Sequence, residues 1–348
     1  MYWNKNVNDY IIFREVIYIT IRDVATKCGV SVATVSRVLN GSVEVKKETR
    51  ELVLEVVKKL NYQPNFTGRN LRKKETKLIL ILLPTIVNPF FAKVVKGMED
   101  FSRNSGYNIM LGTTYENKEI EHSYLNLLRN KLVDGVIFFG TALDRKEIIS
   151  LNQTYNILRC SEYNDDIHLS FVTIDNEKAA FEAVWHLIKC GCKNILYVTA
   201  NDNSMSSINR LEGYKRALRS ARIDFNPDNI IYGNYGYNSS YNLIKNKMEQ
   251  GITFDGVFAI SDKMASGCIK ALKENGIDIP KQVKVVGFDN VDISYMTSPE
   301  ITTISQPQYK IGETAIKMLI DKIQGKQVEK GVILEHKLII RNSTMIGK

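Results

Sequence analysis

Ser31, Thr34 and Ser36 place three hydroxyls within six residues of the stretch ITIRDVATKCGVSVATVSRVLN (residues 19–40), with Arg37 directly after them. Short hydroxyl side chains donate to phosphate oxygens and groove edges, and a guanidinium can reach guanine O6 and N7 together. A second chemical set is HLIKCGCKN, where His186 and Cys190 stand four residues apart on one helix face with Cys192 close by. No second ligand pair with zinc-type spacing accompanies them, and Gly191 reads as a helix stop, so no metal is expected. Catalytic patterns are missing: there is no phosphate loop, G-x-S-x-G elbow, H-E-x-x-H or dinucleotide fingerprint. None of His122, His168, His186 and His336 stands beside a plausible nucleophile. The expectation is a non-enzyme without a cofactor.

The elements around the hydroxyl cluster are three short helices. Thr20 caps the first, with Asp23 three residues on; Ile21, Val24, Ala25 and Cys28 form its inner stripe and Gly29 ends it. Ser31 caps the second, Val35, Val38 and Leu39 face inwards, and Asn40-Gly41 closes it. The third covers roughly residues 47–60, with Leu52, Val53, Val56, Val57 and Leu60 as its apolar face. Three helices with a tight turn between the first two make a helix-turn-helix unit. Residues 65–76, NFTGRNLRKKET, are polar and basic and follow Pro64; they read as a linker with some helical potential.

From residue 77 the pattern alternates between apolar strands and amphipathic helices. LILILLP, YNIMLGT, DGVIFFG, NILRC and VTID are followed by NILYVTA, IIYG, DGVFAIS and VKVVGFD. Helices are expected near 91–105, 120–130, 145–152, 209–221, 239–249 and 264–275. Such alternation means parallel sheets wrapped by helices, with ligands at the carboxyl ends of the strands. The paired DGVIFFG and DGVFAIS suggest two similar lobes, so the fold class is α/β with an all-helical headpiece. The expected division is an N-terminal extension at 1–18, a headpiece at 19–64, a hinge at 65–76 and a two-lobed core at 77–348. Residues 1–18 fit neither neighbour and are read as sequence upstream of the true start rather than as an arm.

The 348 residues are too many for one core of ordinary size. The net charge is +9, and +6 of it lies before residue 77, which points to a polyanion partner for that segment. Five scattered cysteines suit reduced thiols. With no apolar run of membrane-spanning length and no signal-peptide pattern, the cytoplasm is the expected compartment.

The motifs DVATKCGVSVATVSRVLNG, ETRELVLEVVKKLNYQPN, NPFFAKVVKGMED, RLEGYKRAL, SDKMASGCIKAL, VVGFDN, SPEITTISQP and RNST occur in the order found in the lactose/galactose repressor family of bacterial transcription regulators, which residues 19–348 resemble. The resemblance implies a helix-turn-helix headpiece, a hinge helix, and a two-lobed core like periplasmic sugar-binding proteins. It implies base reading at Val32, Ala33 and Arg37, and a minor-groove wedge at Leu71 followed by the phosphate-neutralising Arg72. Ser31, Thr34, Ser36 and Asn40 complete the DNA-facing set. Gly68 stands where many relatives have Ala, which weakens the free hinge helix. In the core, the resemblance places Phe90, Phe91, Arg210, Ser261, Asp262 and Asp289 at the effector cleft. Alternatives stay open: one phenylalanine could be core, and Asp262 and Asp175 could each simply cap a helix.

The function implied is a dimeric repressor of carbohydrate-utilisation genes that binds a pseudo-palindromic operator and is controlled by a sugar or sugar phosphate. One alternative is a catabolite-control regulator driven by a phosphorylated carrier protein. An alternative of another class is a sugar-binding receptor or transport component.

Overall fold

The computed structural model describes residues 19–39, 41, 44–62, 75–163, 168–202 and 204–345. The chain forms two compact units that divide between residues 74 and 75.

The first unit holds α1 (Ile21–Cys28), α2 (Val32–Leu39) and α3 (Lys47–Lys59). Asp23 starts α1 by accepting from the Thr20 N–H and hydroxyl, both at 2.7 Å. These bonds hold its carboxyl below the usual range. Gly29 ends α1 at φ +64°, in the left-handed region, while the Val30 N–H reaches back to the Ala25 carbonyl at 3.1 Å. This reversal fixes the angle at which α2 departs. Val24, Ala25, Cys28, Val35, Val38, Val53, Val56 and Tyr62 close a small core between the helices. Leu52, expected on the inner face of α3, is 44% exposed instead. Val53 and Val56 take that stripe, and a residue one position earlier is turned about 100° away.

The second unit contains two sheets. One has strand order β11-β5-β4-β3-β1-β2, using β1 (Leu78–Leu83), β2 (Asn108–Thr113), β3 (Gly135–Phe138), β4 (Ile157–Cys160), β5 (Phe171–Ile174) and β11 (Gly331–Leu334). Its pairings are parallel. The other runs β12-β10-β9-β8-β6-β7, using β6 (Ile195–Ala200), β7 (Ile230–Gly233), β8 (Gly256–Ala259), β9 (Lys284–Asp289), β10 (Thr302–Ser305) and β12 (Lys337–Ile339). Only β12 among these is antiparallel to its neighbour.

The helices of this unit are α4 (Pro89–Asn104), α5 (Lys118–Arg129), α6 (Arg145–Thr154), α7 (Asn176–Lys189), α8 (Met205–Ser220), α9 (Tyr237–Glu249), α10 (Asp262–Glu274), α11 (Ile293–Met296) and α12 (Gln308–Ile323). Strand β1 shows why both faces must be covered: Ile79, Ile81 and Leu83 join one apolar cluster, and Leu80 and Leu82 join another.

The lobes are not consecutive halves of the sequence. After β10 in the second sheet, α12 packs against α4 and the strands of the first sheet; β11 then joins that first sheet and β12 the second. Among the described residues the chain therefore crosses between lobes three times, after β5, after β10 and after β11. The strand-helix alternation runs out at VKVVGFD, so β10, α12, β11 and β12 have no sequence pattern that assigns them. Short edge strands of three or four residues carry too little periodicity to be seen. The helix α8 starts one turn before its expected position because Ser204 caps it, accepting from the Ser207 N–H at 3.1 Å.

Candidate functional site

On α2 the buried residues are Val35 and Val38, which turns Val32, Ala33 and Arg37 outward. Val32 is 41% exposed, so packing does not account for it. Ala33 and Arg37 lie one turn apart on the same face, flanked by the half-buried Thr34 and Ser36. Ser31 uses its oxygen as the helix cap, accepting from the Thr34 N–H at 3.1 Å and lying 2.9 Å from the Thr34 hydroxyl. The outer surface of α2 is therefore short and flat around one long cation, a shape that suits a major groove. Asn40, Leu71 and Arg72, and nearly all of the hinge, lie outside the described residues.

The second site is built where the carboxyl ends of the two sheets face each other. Arg210, projecting from α8, is buried and anchored at two of its three nitrogens. Its Nε donates to Asn176 Oδ1 at 2.9 Å, its Nη1 donates to the Ile260 carbonyl at 2.8 Å, and its guanidinium carbon lies 3.7 Å from the centroid of the Phe288 ring. Asp289, next along from Phe288, is buried at the end of β9 with φ +107°, a strained value for a residue bearing a Cβ. Two glutamines hold it there: Gln306 Nε2 donates to its Oδ1 at 2.8 Å, and Gln308 Nε2 donates to its backbone carbonyl. Burial pushes the Asp289 carboxyl up to about 6, against the opposing pull of Arg210 and the Gln306 bond. Arg341, from the RNST segment, steadies the same loop by donating to Asn290 Oδ1 at 2.7 Å and the Ile301 carbonyl at 2.8 Å.

The other residues expected here divide by role. Phe90 is buried in the apolar core, while Phe91 is half-buried and packs edge-on to Phe139 at 5.1 Å between ring centroids. Ser261 caps α10, its hydroxyl accepting from the Met264 N–H at 3.3 Å. Asp262 is fully buried with both oxygens occupied: Thr303 Oγ1 donates to one at 2.5 Å and the Val291 N–H to the other at 2.8 Å. Burial, and then the charge of nearby Asp289, hold its carboxyl well above the carboxylate range. Its contacts tie β10 to the loop after β9, which is a supporting role for Asp289. Asp175 caps α7 by accepting from the Lys178 N–H at 2.8 Å.

Several polar residues of this cleft were not picked out by their sequence pattern. Asp202 accepts from the Tyr235 hydroxyl at 2.7 Å and from the Ser204 hydroxyl at 2.7 Å, and Tyr235 lies 3.1 Å from the Ser207 hydroxyl. Glu162, just beyond β4, accepts from the Ser206 hydroxyl at 2.5 Å and from its N–H at 3.2 Å. The available signal was position: each follows a strand end, where ligands bind in such folds. Elsewhere, the His186 ring lies 2.8 Å from the Thr344 hydroxyl and 3.7 Å from Cys190 Sγ. Among the described residues no three metal-capable side chains gather, and no helix is long and apolar enough to cross a membrane.

Comparison with known proteins accounts for both units. Residues 20–65 match a family described as bacterial regulatory proteins, lacI family, and residues 76–342 match the periplasmic binding proteins and sugar binding domain of the LacI family. The HTH-type transcriptional regulator RegA of Clostridium saccharobutylicum is 39% identical over 94% of this chain and 99% of its own length. Catabolite control protein A of Priestia megaterium is 34% identical over 94% and 99%. The solved lac repressor dimer, bound to operator and the anti-inducer ONPF, superposes with a TM-score of 0.86 at 25% identity, over 94% of this chain and 99% of that one. With both the headpiece and the two-lobed core matched along almost the whole sequence, the chain belongs to the LacI family of bacterial transcriptional regulators.

Proposed function

We propose that this regulator is a repressor that binds a pseudo-palindromic operator as a homodimer and loses operator affinity when a small hydroxyl-rich ligand, a sugar, enters the cleft between its lobes. The observation that carries the reading is the Arg210–Asp289 pair of strand-end groups. A buried guanidinium and a carboxylate on a strained backbone stand 79 positions apart in sequence and converge at Phe288. Charged groups at strand ends fix a polyol's hydroxyls, and the half-buried Phe91 ring would cover a C–H face. Two-fold symmetry of a dimer calls for a two-fold operator.

In the headpiece, Arg37 would read a guanine, with Val32 and Ala33 against thymine methyls and the hydroxyls on phosphates. Leu71 would wedge the minor groove, with Arg72 on the backbone, and Asn40 would complete the contacts. A ligand favouring one lobe arrangement shifts the population and thereby the spacing of the two hinges.

Titrating a panel of neutral sugars into the protein–operator complex, and following release by fluorescence anisotropy, tests this reading. One sugar should release the DNA, and no response from any of them would contradict sugar control. The similarity to catabolite control protein A supports a second reading. In that case a phosphorylated carrier protein would raise operator affinity in the same assay, with the sugars silent.

A further inference from the structure

Glu162 belongs to the first lobe and Ser206 to the first turn of α8 in the second, so their two hydrogen bonds span the cleft. A carboxylate thus sits at the amino end of a 16-residue helix, where the backbone N–H groups and the helix dipole favour a negative charge. The neighbouring donors of that turn are used within the lobe: the Ser207 N–H goes to Ser204 Oγ at 3.1 Å, and the Ser204 N–H goes to Asp202 Oδ1 at 3.1 Å. The Ser206 N–H and hydroxyl are taken by Glu162.

The rest of the cleft does not welcome an anion either. Asp202 and Asp289 line it with carboxylates, Asp262 lies beneath Asp289, and Nε and Nη1 of Arg210 are already bound to Asn176 and the Ile260 carbonyl. Arg159 on β4 adds positive charge on the first-lobe side, but the carboxylates of Glu162 and Glu121 already lie in its field and offset it. A phosphate or carboxylate entering here must displace Glu162 from Ser206 or lie beside it. Two like charges a few ångströms apart in a partly dry cleft repel strongly. Sugar hydroxyls meet no such barrier, since carboxylates accept readily from O–H donors.

We propose that Glu162 is a specificity-determining residue that fills the amino end of α8 with its own carboxylate, favouring uncharged polyhydroxy ligands at the site and excluding phosphorylated or acidic sugars from that position. The proposal rests on the cleft being the effector site.

The test is calorimetric titration of millimolar inorganic phosphate into the full-length protein and into two variants, Glu162→Ala and Glu162→Gln. Wild type should show no saturable binding. Glu162→Ala should gain it, with affinity at least about tenfold above any wild-type response, because the Ser206 donors are freed and the repulsion is gone. Glu162→Gln keeps the size and an acceptor for Ser206, so it protects the test against a variant that fails to fold, and it should gain a smaller response. The basic headpiece is common to all three proteins, so differences between them report the cleft. Saturable binding of equal strength in wild type, or silence in both folded variants, would overturn the proposal. Failure of every neutral sugar to release operator would instead count against the effector reading, and leaves the phosphate comparison distinguishable from it.

Discussion

Arg37 stands exposed on the outer face of α2, one turn from Ala33, so removing it should change recognition and little else. Arg37→Ala is expected to lose about 1–3 kcal/mol of discrimination at one base pair of each half-site while keeping weak, salt-sensitive binding. Competition of operator against random duplex measures this, and an unchanged preference would remove Arg37 as a reader.

Asp289 is the opposite kind of residue, costly to the fold and useful to the site. Its carboxyl is raised from an ordinary 3.8 to about 6, so the folded protein holds this proton more tightly than the unfolded chain does. Stability from that proton is fully present below about pH 4 and lost as pH rises through about 6, amounting to about 3 kcal/mol at most. Asp289→Asn should therefore melt higher than wild type at neutral pH, with a flatter dependence of melting temperature between those limits. A variant that melts lower at neutral pH would contradict the cost assigned to the buried charge.

At this scale the sequence was legible where a motif encloses the residue, as in RLEGY for Arg210 and GFDN for Asp289. Glu162, Asp202 and Tyr235 have no such frame. They meet because three separate strand ends converge, a property of the sheets and not of local spacing.

Among the elements, the contact between α4 and α12 is the least visible in the sequence and among the most demanding. Gly312 lies against the Val94 backbone carbonyl and Gly97 against that of Tyr309, so the helices meet backbone to backbone. A Cβ at either position would occupy the space of the opposing carbonyl. Alanine for glycine ordinarily strengthens a helix by about 1 kcal/mol. Here Gly312→Ala should destabilise the core by about 1–3 kcal/mol net, because neither helix can yield without disturbing the sheet beneath. Thermal unfolding followed by circular dichroism would show it, and a stabilised variant would mean that the helices can separate at no cost.

The first helix–turn–helix pair and the long buried strands could be read directly, since caps, glycine stops and apolar periodicity agree in them. The return of the C-terminal segment into the first lobe could not. The register Gly331↔Phe171 and Thr303↔Ile339 pairs residues distant in sequence along strands of four residues or fewer.

For the molecule as a whole, the three crossings among the described residues tie the two lobes of the core to each other. Each lobe holds part of the cleft, and bonds such as Lys93–Asp292 at 2.9 Å and Glu162–Ser206 link them directly. A ligand that binds better to one arrangement of the lobes must shift the balance between arrangements by that difference in affinity. The concentration of positive charge before residue 77 suits attraction to DNA without sequence preference, and in the proposed reading the outer face of α2 and the hinge supply the rest.

The proposed regulator is a sequence-specific operator binder with two-fold symmetry. The most direct measurement is selection of bound duplexes from a random DNA pool by the purified protein, at near-physiological salt and without ligand. Enrichment of a single pseudo-palindrome is expected, with half-sites that each contain a guanine that Arg37→Ala no longer distinguishes. Enrichment of no sequence, or of a site without two-fold symmetry, would contradict it.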